Sequence, residues 1–237
     1  MRVSISVDFE PDCPPYLSST FRGIEEGAPK LLSLFSELKV PVTYFTTAVV
    51  AHKYPERVRD VVAAGHELGC HGVTHTAFDT LDESVARWEI EHASAVLREF
   101  GTISCFRAPY LRFPERFLVL LEDNGIAVDS SLAKYKRAYH AQRAPSAVRR
   151  IAASATSSVL RLPHFIRDPW LLSLRDPVVL FVHPWEFVDL RHERLRLDCR
   201  FRTGDLALSC LRSAIELLRG RGASFHTIGD LAENMPR

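Results

Sequence analysis

Short strand-like segments alternate with helix-like segments along almost the whole chain, and this alternation limits the fold more than any other feature of the sequence. The strand-like segments are rich in β-branched and aromatic residues, and the clearest is the continuous apolar run Val178–Val182. The predicted strands cover residues 3–7, 41–46, 66–70, 103–106, 126–128, 178–182 and 224–226. The predicted helices cover residues 24–38, 56–64, 80 or 82 to about 100, 114–124, 206–219 and 228–233. Repeated βα units predict an α/β fold with a parallel sheet, either open or closed into a barrel.

One segment, residues 133–158, interrupts the alternation. It is rich in Ala, Ser, Arg and Tyr, has weak periodicity and contains Pro145. A stretch of this length without clear structure predicts a lid or an insertion. No internal repeat or low-complexity linker divides the chain, so we expect residues 1–237 to form a single domain.

Composition excludes several classes of protein. Hydrophobic residues make up 46% of the chain, which excludes wholesale disorder. The formal net charge is +1, so no nucleic-acid partner is expected from overall charge. The five cysteines are scattered and form no C-x-x-C pair, which argues against a disulfide framework or a zinc knuckle.

The sequence also predicts where in the cell the protein is located. No apolar run of secretory length precedes the first strand, and no run is long enough for a transmembrane helix. We therefore expect a cytoplasmic protein that could make peripheral contact with a lipid-linked substrate.

Ionisable side chains cluster where the predicted strands end, as functional residues do in parallel βα folds. Asp8 and Glu10 share one face of the first strand, so both carboxylates point into the same space. His71 and His75 are four residues apart and can point the same way if the segment turns into a helix. Two imidazoles and a carboxylate suit zinc, cobalt or iron. A pair of surface histidines is the alternative explanation.

Two further strand ends carry candidate catalytic groups. Arg107 can hold a neighbouring carboxylate in place, and Pro109 fixes the backbone direction at Tyr110. His183 follows a buried strand and stands beside Trp185, which suits a general acid. A tight turn and an ordinary buried histidine are the respective alternatives. Asp129 stands at another strand end.

Taken together, five motifs in order resemble the polysaccharide deacetylase family (the NodB-homology domain, carbohydrate esterase family 4). They are VDFE at 7–10, HGVTH at 71–75, FRAPY at 106–110, VDSSL at 128–132 and LFVHP at 180–184. The resemblance covers nearly the whole chain. It implies a distorted (β/α) barrel of about seven parallel strands that removes acyl groups from sugars with one divalent metal ion.

The resemblance also implies roles for individual residues. His71 and His75 match the metal-binding histidines, and His183 matches the catalytic acid. Asp8 matches the catalytic base, and Arg107 matches the arginine that orients this base. Tyr110 matches the residue whose backbone N–H donates to the oxyanion, and Asp129 lies in the motif that tunes the acid.

The first motif departs from the family pattern. Where the family has a second, metal-binding aspartate, this chain has Phe9. We predict that Glu10 replaces that ligand and that Asp8 is the base, although the two could exchange roles. Zinc is the expected metal, with cobalt, nickel or iron as alternatives.

The expected substrate is an N-acetylated or N-formylated amino sugar, linked to a nucleotide or a lipid. Residues 21–29 resemble the corresponding segment of bacterial deformylases that act on lipid-linked aminoarabinose. Two alternatives remain open at this stage. One is a non-catalytic glycan-binding relative, and the other is an amidohydrolase that acts on a non-sugar amide or cyclic ureide. The oligomeric state is not indicated.

Overall fold

A parallel β-sheet forms the centre of the computed structural model, which describes residues 1–140 and 146–235. Its eight strands are β1 (Arg2–Phe9), β2 (Val42–Thr46), β3 (Glu67–Cys70), β4 (Cys105–Phe106), β5 (Val128–Asp129), β6 (Arg149–Arg150), β7 (Val178–Val182) and β8 (Ser224–His226). Seven of them lie in the order β6-β5-β4-β3-β2-β1-β7, and β8 pairs with the first residues of β1. All these pairings are parallel.

The sheet curls until its two ends meet. Ser154, which follows β6, donates its backbone N–H to the carbonyl of Val179 in β7 over 2.7 Å. The Ser154 hydroxyl in turn accepts the N–H of Val179 over 3.0 Å. These bonds bring the chain beyond β6 against β7, and they confirm the predicted distorted (β/α) barrel in a single domain.

Helices surround this sheet. They are α1 (Ala28–Leu38), α2 (Ala48–Lys53), α3 (Pro55–Ala63), α4 (Glu83–Arg98), α5 (Leu118–Asp123), α6 (His164–Ser173), α7 (Leu197–Arg200), α8 (Asp205–Gly220) and α9 (Ile228–Glu233). The buried faces of α1 and α8 present Leu31 and Leu211 to the core, as their apolar spacing predicts. The sequence does not predict α2, α6 and α7. Helices α2 and α7 have only 6 and 4 residues, and the longer α6 contains Pro169.

Alternation along β1 separates a core face from a polar face. Val3, Ile5, Val7 and Phe9 belong to the main hydrophobic core. The alternate residues Ser4, Ser6 and Asp8 are also buried, but on the opposite face of the strand. A second apolar cluster lies on this opposite face of the sheet. In it, Phe45 of β2 and Val179 of β7 pack with Ile228 and Leu231 of α9. The strand thus carries polar groups towards the space enclosed by the curled sheet.

The predicted lid at 133–158 is only partly a surface segment. It contains β6, and the following residues Ile151 and Ala153 are buried. Sequence reasoning missed β6 because the strand is two residues long and consists of Arg149 and Arg150. Residues 141–145 lie outside the described residues, and a lid function for the segment stays a prediction.

The turn that follows β7 is held by an unusually close backbone approach. A π-helical turn (Gly23–Gly27) runs directly into α1 and packs against the turn Pro184–Phe187. A Cβ added at Gly23 would lie 2.4 Å from the backbone nitrogen of Trp185, and one at Gly27 would lie 2.1 Å from the carbonyl oxygen of Pro184. Only glycine therefore fits at these two positions.

We predict that Gly27→Ala destabilises the protein, because the new methyl group must push the two backbones apart. Overpacking of this kind costs about 1–3 kcal/mol or more in the free energy of unfolding. Gly220→Ala is the matched control, since a Cβ there meets nothing within 4 Å. Thermal or denaturant unfolding of both variants tests this. Equal stability of the two variants would contradict the close packing.

Candidate active site

The carboxyl ends of the parallel strands bring the predicted residues to one edge of the barrel. His71 directly follows β3, Arg107 follows β4 and His183 follows β7. Asp8 lies at the end of β1, with Glu10 just beyond it. A cavity of about 220 Å³ at this edge is lined by Asp8, Glu10, His75, Tyr110 and His183. His71 and Arg107 are buried next to it, in contact with Glu10 and Asp8 respectively. The predicted convergence of these distant residues is therefore present.

Glu10, His71 and His75 form a buried cluster. The Glu10 Oε2 atom lies 3.2 Å from Nε2 of His71 and 2.6 Å from Nε2 of His75. One potential ligand atom from each residue lies within 4.8 Å of the other two. Among the described residues, this cluster could hold a metal ion.

The tautomer of His71 supports a cation at this position. Its Nδ1 lies 2.6 Å from the backbone carbonyl of Arg107, which can only accept a hydrogen bond. Nδ1 therefore carries the proton, and in the neutral ring the lone pair of Nε2 faces the Glu10 carboxylate. A lone pair and a carboxylate repel each other unless a cation lies between them. This backbone bond to the outer ring nitrogen is also the usual way in which proteins orient a metal-binding histidine.

Charge around Glu10 also favours its ionised form. Burial by itself would raise the pKa of Glu10, but the nearby imidazoles of His75 and His183 hold the pKa well below its usual range. The indole N–H of Trp185 donates to Glu10 Oε1 over 3.3 Å. A carboxylate and two imidazoles are a donor set that suits zinc and related divalent ions. The residues present therefore fit such an ion.

Phe9 does not disturb this arrangement, although it stands at the position where the family pattern has aspartate. Its side chain is fully buried and packs edge-to-face on Tyr44, with ring centroids 5.5 Å apart. Successive side chains of a strand point to opposite faces, so Phe9 faces the core while its two acidic neighbours face the cavity. Glu10, rather than Asp8, is the carboxylate that contacts both histidines.

Asp8 is held by a buried guanidinium. Arg107 is fully buried, and its Nη1 donates to Asp8 Oδ1 over 2.6 Å and to the Ser6 hydroxyl over 2.7 Å. Its Nη2 donates to the Ser130 hydroxyl over 2.9 Å, and the group lies 4.3 Å from the centroid of the Phe45 ring. Asp8 Oδ2 points to His183 and lies 3.8 Å from its Nε2. One oxygen of Asp8 is thus fixed while the other faces the cavity.

His183 is oriented by Glu186, a residue to which the sequence analysis assigned no role. Glu186 Oε1 lies 2.7 Å from Nδ1 of His183 and accepts the backbone N–H of the same residue over 3.0 Å. The other Glu186 oxygen pairs with Nε of Arg161 at 2.8 Å. Trp185 stacks on the imidazole with centroids 4.7 Å apart. Since Nδ1 is occupied, Nε2 is the nitrogen that faces the cavity.

The same neighbours affect the charge of His183. Burial lowers its pKa, but Glu10, the hydrogen-bonded Glu186 and Asp8 raise the pKa to about 9. The imidazole therefore carries a proton at neutral pH, as a group that donates a proton must.

Four cavity residues have positive backbone φ angles although none is glycine. The φ angles of Cys13, His75, Tyr110 and Leu111 are 39°, 65°, 59° and 53°. Such conformations cost about 1–3 kcal/mol each and cluster at functional sites. The Tyr110 ring packs edge-to-face on His75 at 4.6 Å, and Lys136 donates to the Tyr110 carbonyl over 2.6 Å. These contacts hold Tyr110 at the mouth of the cavity.

Asp129 occupies a supporting position. Its Oδ2 pairs with Nε of Arg150 at 2.8 Å, and its Oδ1 accepts the backbone N–H of Ser131 over 2.9 Å. Ser131 in turn accepts the N–H of Ala108, next to Arg107. Glu186, rather than Asp129, contacts the imidazole of His183. A catalytic role for Asp129 stays a prediction, and its contacts are those of a residue that fixes the loop after β5.

The signal for Glu186 was present in the sequence. In His183-Pro-Trp-Glu186, proline favours the first position of a helical turn, and an acidic residue three positions after the turn begins can bond back to its start. Arg161 carried no comparable local signal, because its partners come from distant parts of the chain.

We predict that the protein binds one divalent ion per chain, and that Glu10→Gln and His75→Ala each weaken the binding by more than about 100-fold, since loss of a ligand exceeds loss of a supporting contact. Asp8→Asn is the matched comparison, because it removes a carboxylate charge from the same cavity. Calorimetric titration with Zn²⁺ or Co²⁺ measures the affinities. Loss of binding in Asp8→Asn alone would show that the two carboxylates exchange roles.

No helix in the described ranges 1–140 and 146–235 has the length and apolar character that crossing a membrane requires.

Among curated proteins, the chain is 36% identical over 64 residues to a peptidoglycan deacetylase of Helicobacter pylori, covering 27% of this chain and 22% of that protein. It is 26% identical over 102 residues to a chitooligosaccharide deacetylase of Sinorhizobium fredii, covering 42% and 47%. The matches thus span less than half the length of these relatives.

Solved structures share the fold over nearly the whole chain. A peptidoglycan N-acetylglucosamine deacetylase is 17% identical with a TM-score of 0.67, covering 99% of this chain and 89% of that one. A family 4 carbohydrate esterase from Streptomyces lividans is 16% identical with a TM-score of 0.64, covering 94% and 91%. A pseudoenzyme of the same esterase family from Bacillus anthracis is 14% identical with a TM-score of 0.68, covering 98% and 65%.

The family model described as polysaccharide deacetylase matches residues 9–128, half of the chain, and this range includes Glu10, both cluster histidines and Arg107. The chain therefore belongs to the polysaccharide deacetylase family.

Proposed function

We propose that the protein is a metal-dependent hydrolase that removes an N-acyl group from an amino sugar. The observation that carries this proposal is the convergence of three parts on one cavity. These parts are the Glu10, His71 and His75 cluster, the fixed carboxylate of Asp8, and the oriented imidazole of His183. Amide hydrolysis by water needs an activated nucleophile, a base and an acid, and the cavity offers a residue for each need.

Glu10, His71 and His75 would hold the divalent ion. Such an ion, when bound, lowers the pKa of water and polarises a carbonyl group. Open positions for substrate and water are expected, because three protein ligands converge there among the residues that the structure describes.

Asp8 is the proposed base. Arg107 holds Oδ1, so Oδ2 faces the cavity and is free to accept a proton from the attacking water. The fully buried guanidinium also fixes the direction of the carboxylate, which reduces the reorganisation needed during the reaction.

His183 is the proposed acid. Glu186 accepts a hydrogen bond from Nδ1, so Nε2–H is directed into the cavity and can protonate the leaving amine. Asp8 Oδ2 and Glu10 Oε1 each lie 3.8 Å from Nε2, which places the acid beside both carboxylates. The backbone N–H of Tyr110 is the proposed donor to the developing oxyanion, a type of contact worth about 3–4 kcal/mol.

The names of the curated relatives favour acetyl as the acyl group, since they are deacetylases of peptidoglycan and of chitooligosaccharides. Formyl remains within the proposal, because the cavity chemistry is the same for both amides. We extend the proposal to amino sugars that are linked to a larger group, a nucleotide or a lipid.

We predict that the zinc- or cobalt-loaded protein releases acetate or formate from a panel of N-acetylated and N-formylated amino sugars, and that chelation abolishes the release. His183→Ala should lower kcat about 100- to 10,000-fold while the bound metal is retained, because only the proton donor is removed. His71→Ala should lose both metal and activity. Activity that survives chelation would contradict the proposed mechanism, and metal binding without any turnover would favour a non-catalytic glycan-binding protein.

We predict that Glu186→Gln lowers kcat at least tenfold with little change in metal content. Loss of the negative charge removes the pairing with Arg161 and weakens the hydrogen bond to Nδ1 of His183. Glu193→Gln is a control, because this half-exposed carboxylate pairs with Arg22 at 3.4 Å outside the cavity. Steady-state kinetics and metal analysis measure the effect. Equal kcat in the two variants would show that Glu186 does not position the acid.

A further inference from the structure

An apolar groove opens beside the active-site cavity. It has a volume of about 300 Å³ and lies between the turn Ser157–Arg161 and α7. Its walls are formed by Ser158, Val159, Leu162, Leu197, Asp198 and Phe201. Ser158 and Asp198 also line the active-site cavity, so the groove adjoins the cavity.

The groove presents apolar surface to solvent. Leu197 is 68% exposed, and Val159, Leu162 and Phe201 are each only partly buried. Polar side chains are confined to Ser158 and Asp198, where the groove meets the cavity. A hydrocarbon group that covers this concave apolar surface removes it from water, and this lowers the free energy.

The wall of the groove is fixed to the catalytic machinery. Arg161 is buried, and its guanidinium donates to the backbone carbonyls of Asp198, Cys199 and Phe201 in and just after α7. The same guanidinium pairs through Nε with Glu186, which holds His183. The position of α7 relative to the proposed acid is therefore set by one buried side chain. A group bound in the groove would have a defined position relative to the reacting amide.

We propose that this groove binds a hydrocarbon group that is covalently attached to the amino-sugar substrate, so that the natural substrate is an amphiphilic glycoside. This inference rests on the proposed function and specifies its substrate class. The occupant belongs to the substrate because the groove adjoins the cavity where the sugar would react and shares Ser158 and Asp198 with it. Its volume suits a short length of hydrocarbon chain rather than a protein segment.

The test compares the methyl and octyl β-glycosides of N-acetylglucosamine, with the octyl compound below its critical micelle concentration. We expect kcat/KM to be at least tenfold higher for the octyl glycoside, because each buried methylene contributes a factor of about three to four. Leu197→Ser should lower the octyl-to-methyl ratio of kcat/KM severalfold. Phe165→Ser is the matched control, since Phe165 is 73% exposed on α6 and does not line the groove.

Equal kcat/KM for the two glycosides would overturn the inference and leave the proposed function intact. An octyl preference that Leu197→Ser and Phe165→Ser reduce equally would also overturn it, because adsorption of the alkyl chain to general apolar surface would then explain the preference.

If neither glycoside is hydrolysed, calorimetric binding of the octyl glycoside tests the groove separately. The proposed function fails only if no compound of the N-acetylated and N-formylated panel is hydrolysed either. Octyl binding that Leu197→Ser weakens, with Phe165→Ser unchanged, supports the groove. Absence of binding, or binding only above the micelle concentration, overturns it.

Discussion

The buried guanidinium of Arg107 is the interaction on which the rest of the site depends. It has no contact with solvent, so its charge must be compensated within the protein, and Asp8 supplies the opposite charge at 2.6 Å. Removing one partner of such a buried pair costs about 3–5 kcal/mol. The same residue presents its backbone carbonyl to His71, which sets the tautomer of a metal-binding candidate. One residue at the end of β4 thereby orients both the proposed base and one proposed metal ligand.

Much of the site could be predicted because strand ends in a parallel sheet converge. Local patterns alone place Asp8, His71, Arg107 and His183 at strand ends, and the structure brings these four residues together. The direction of both Asp8 and Glu10 into one space, with Phe9 between them on the opposite face, also follows from the alternation of side chains along a strand. The choice of Glu10 as the carboxylate beside both histidines needed coordinates, since both acids share one face.

Other parts could not be read from the sequence, because their signals are distributed. Arg161 bonds to carbonyls about 40 residues away and to Glu186, and no local pattern records such partners. Strand β6 has two arginines and no apolar alternation, since it pairs over only two residues at the edge of the sheet. The four-residue helix α7 is too short for any helical periodicity. Of these elements, α7 lines the active-site cavity through Asp198 and Cys199. Sequence patterns therefore describe the centre of the cavity better than its outer wall.

The position of Phe9 within β1 has a consequence for how this chain can vary. β1 is paired with β2, β7 and β8, so its register is fixed on both edges. Inserting or deleting a single residue before Asp8 in this strand would turn the side chains of Asp8 and Glu10 towards the hydrophobic core. It would also place the phenyl ring of Phe9 where the ion is expected. Exchange of Phe9 for another bulky apolar side chain preserves the alternation. During evolution this strand should therefore accept point substitutions far more readily than changes in its length.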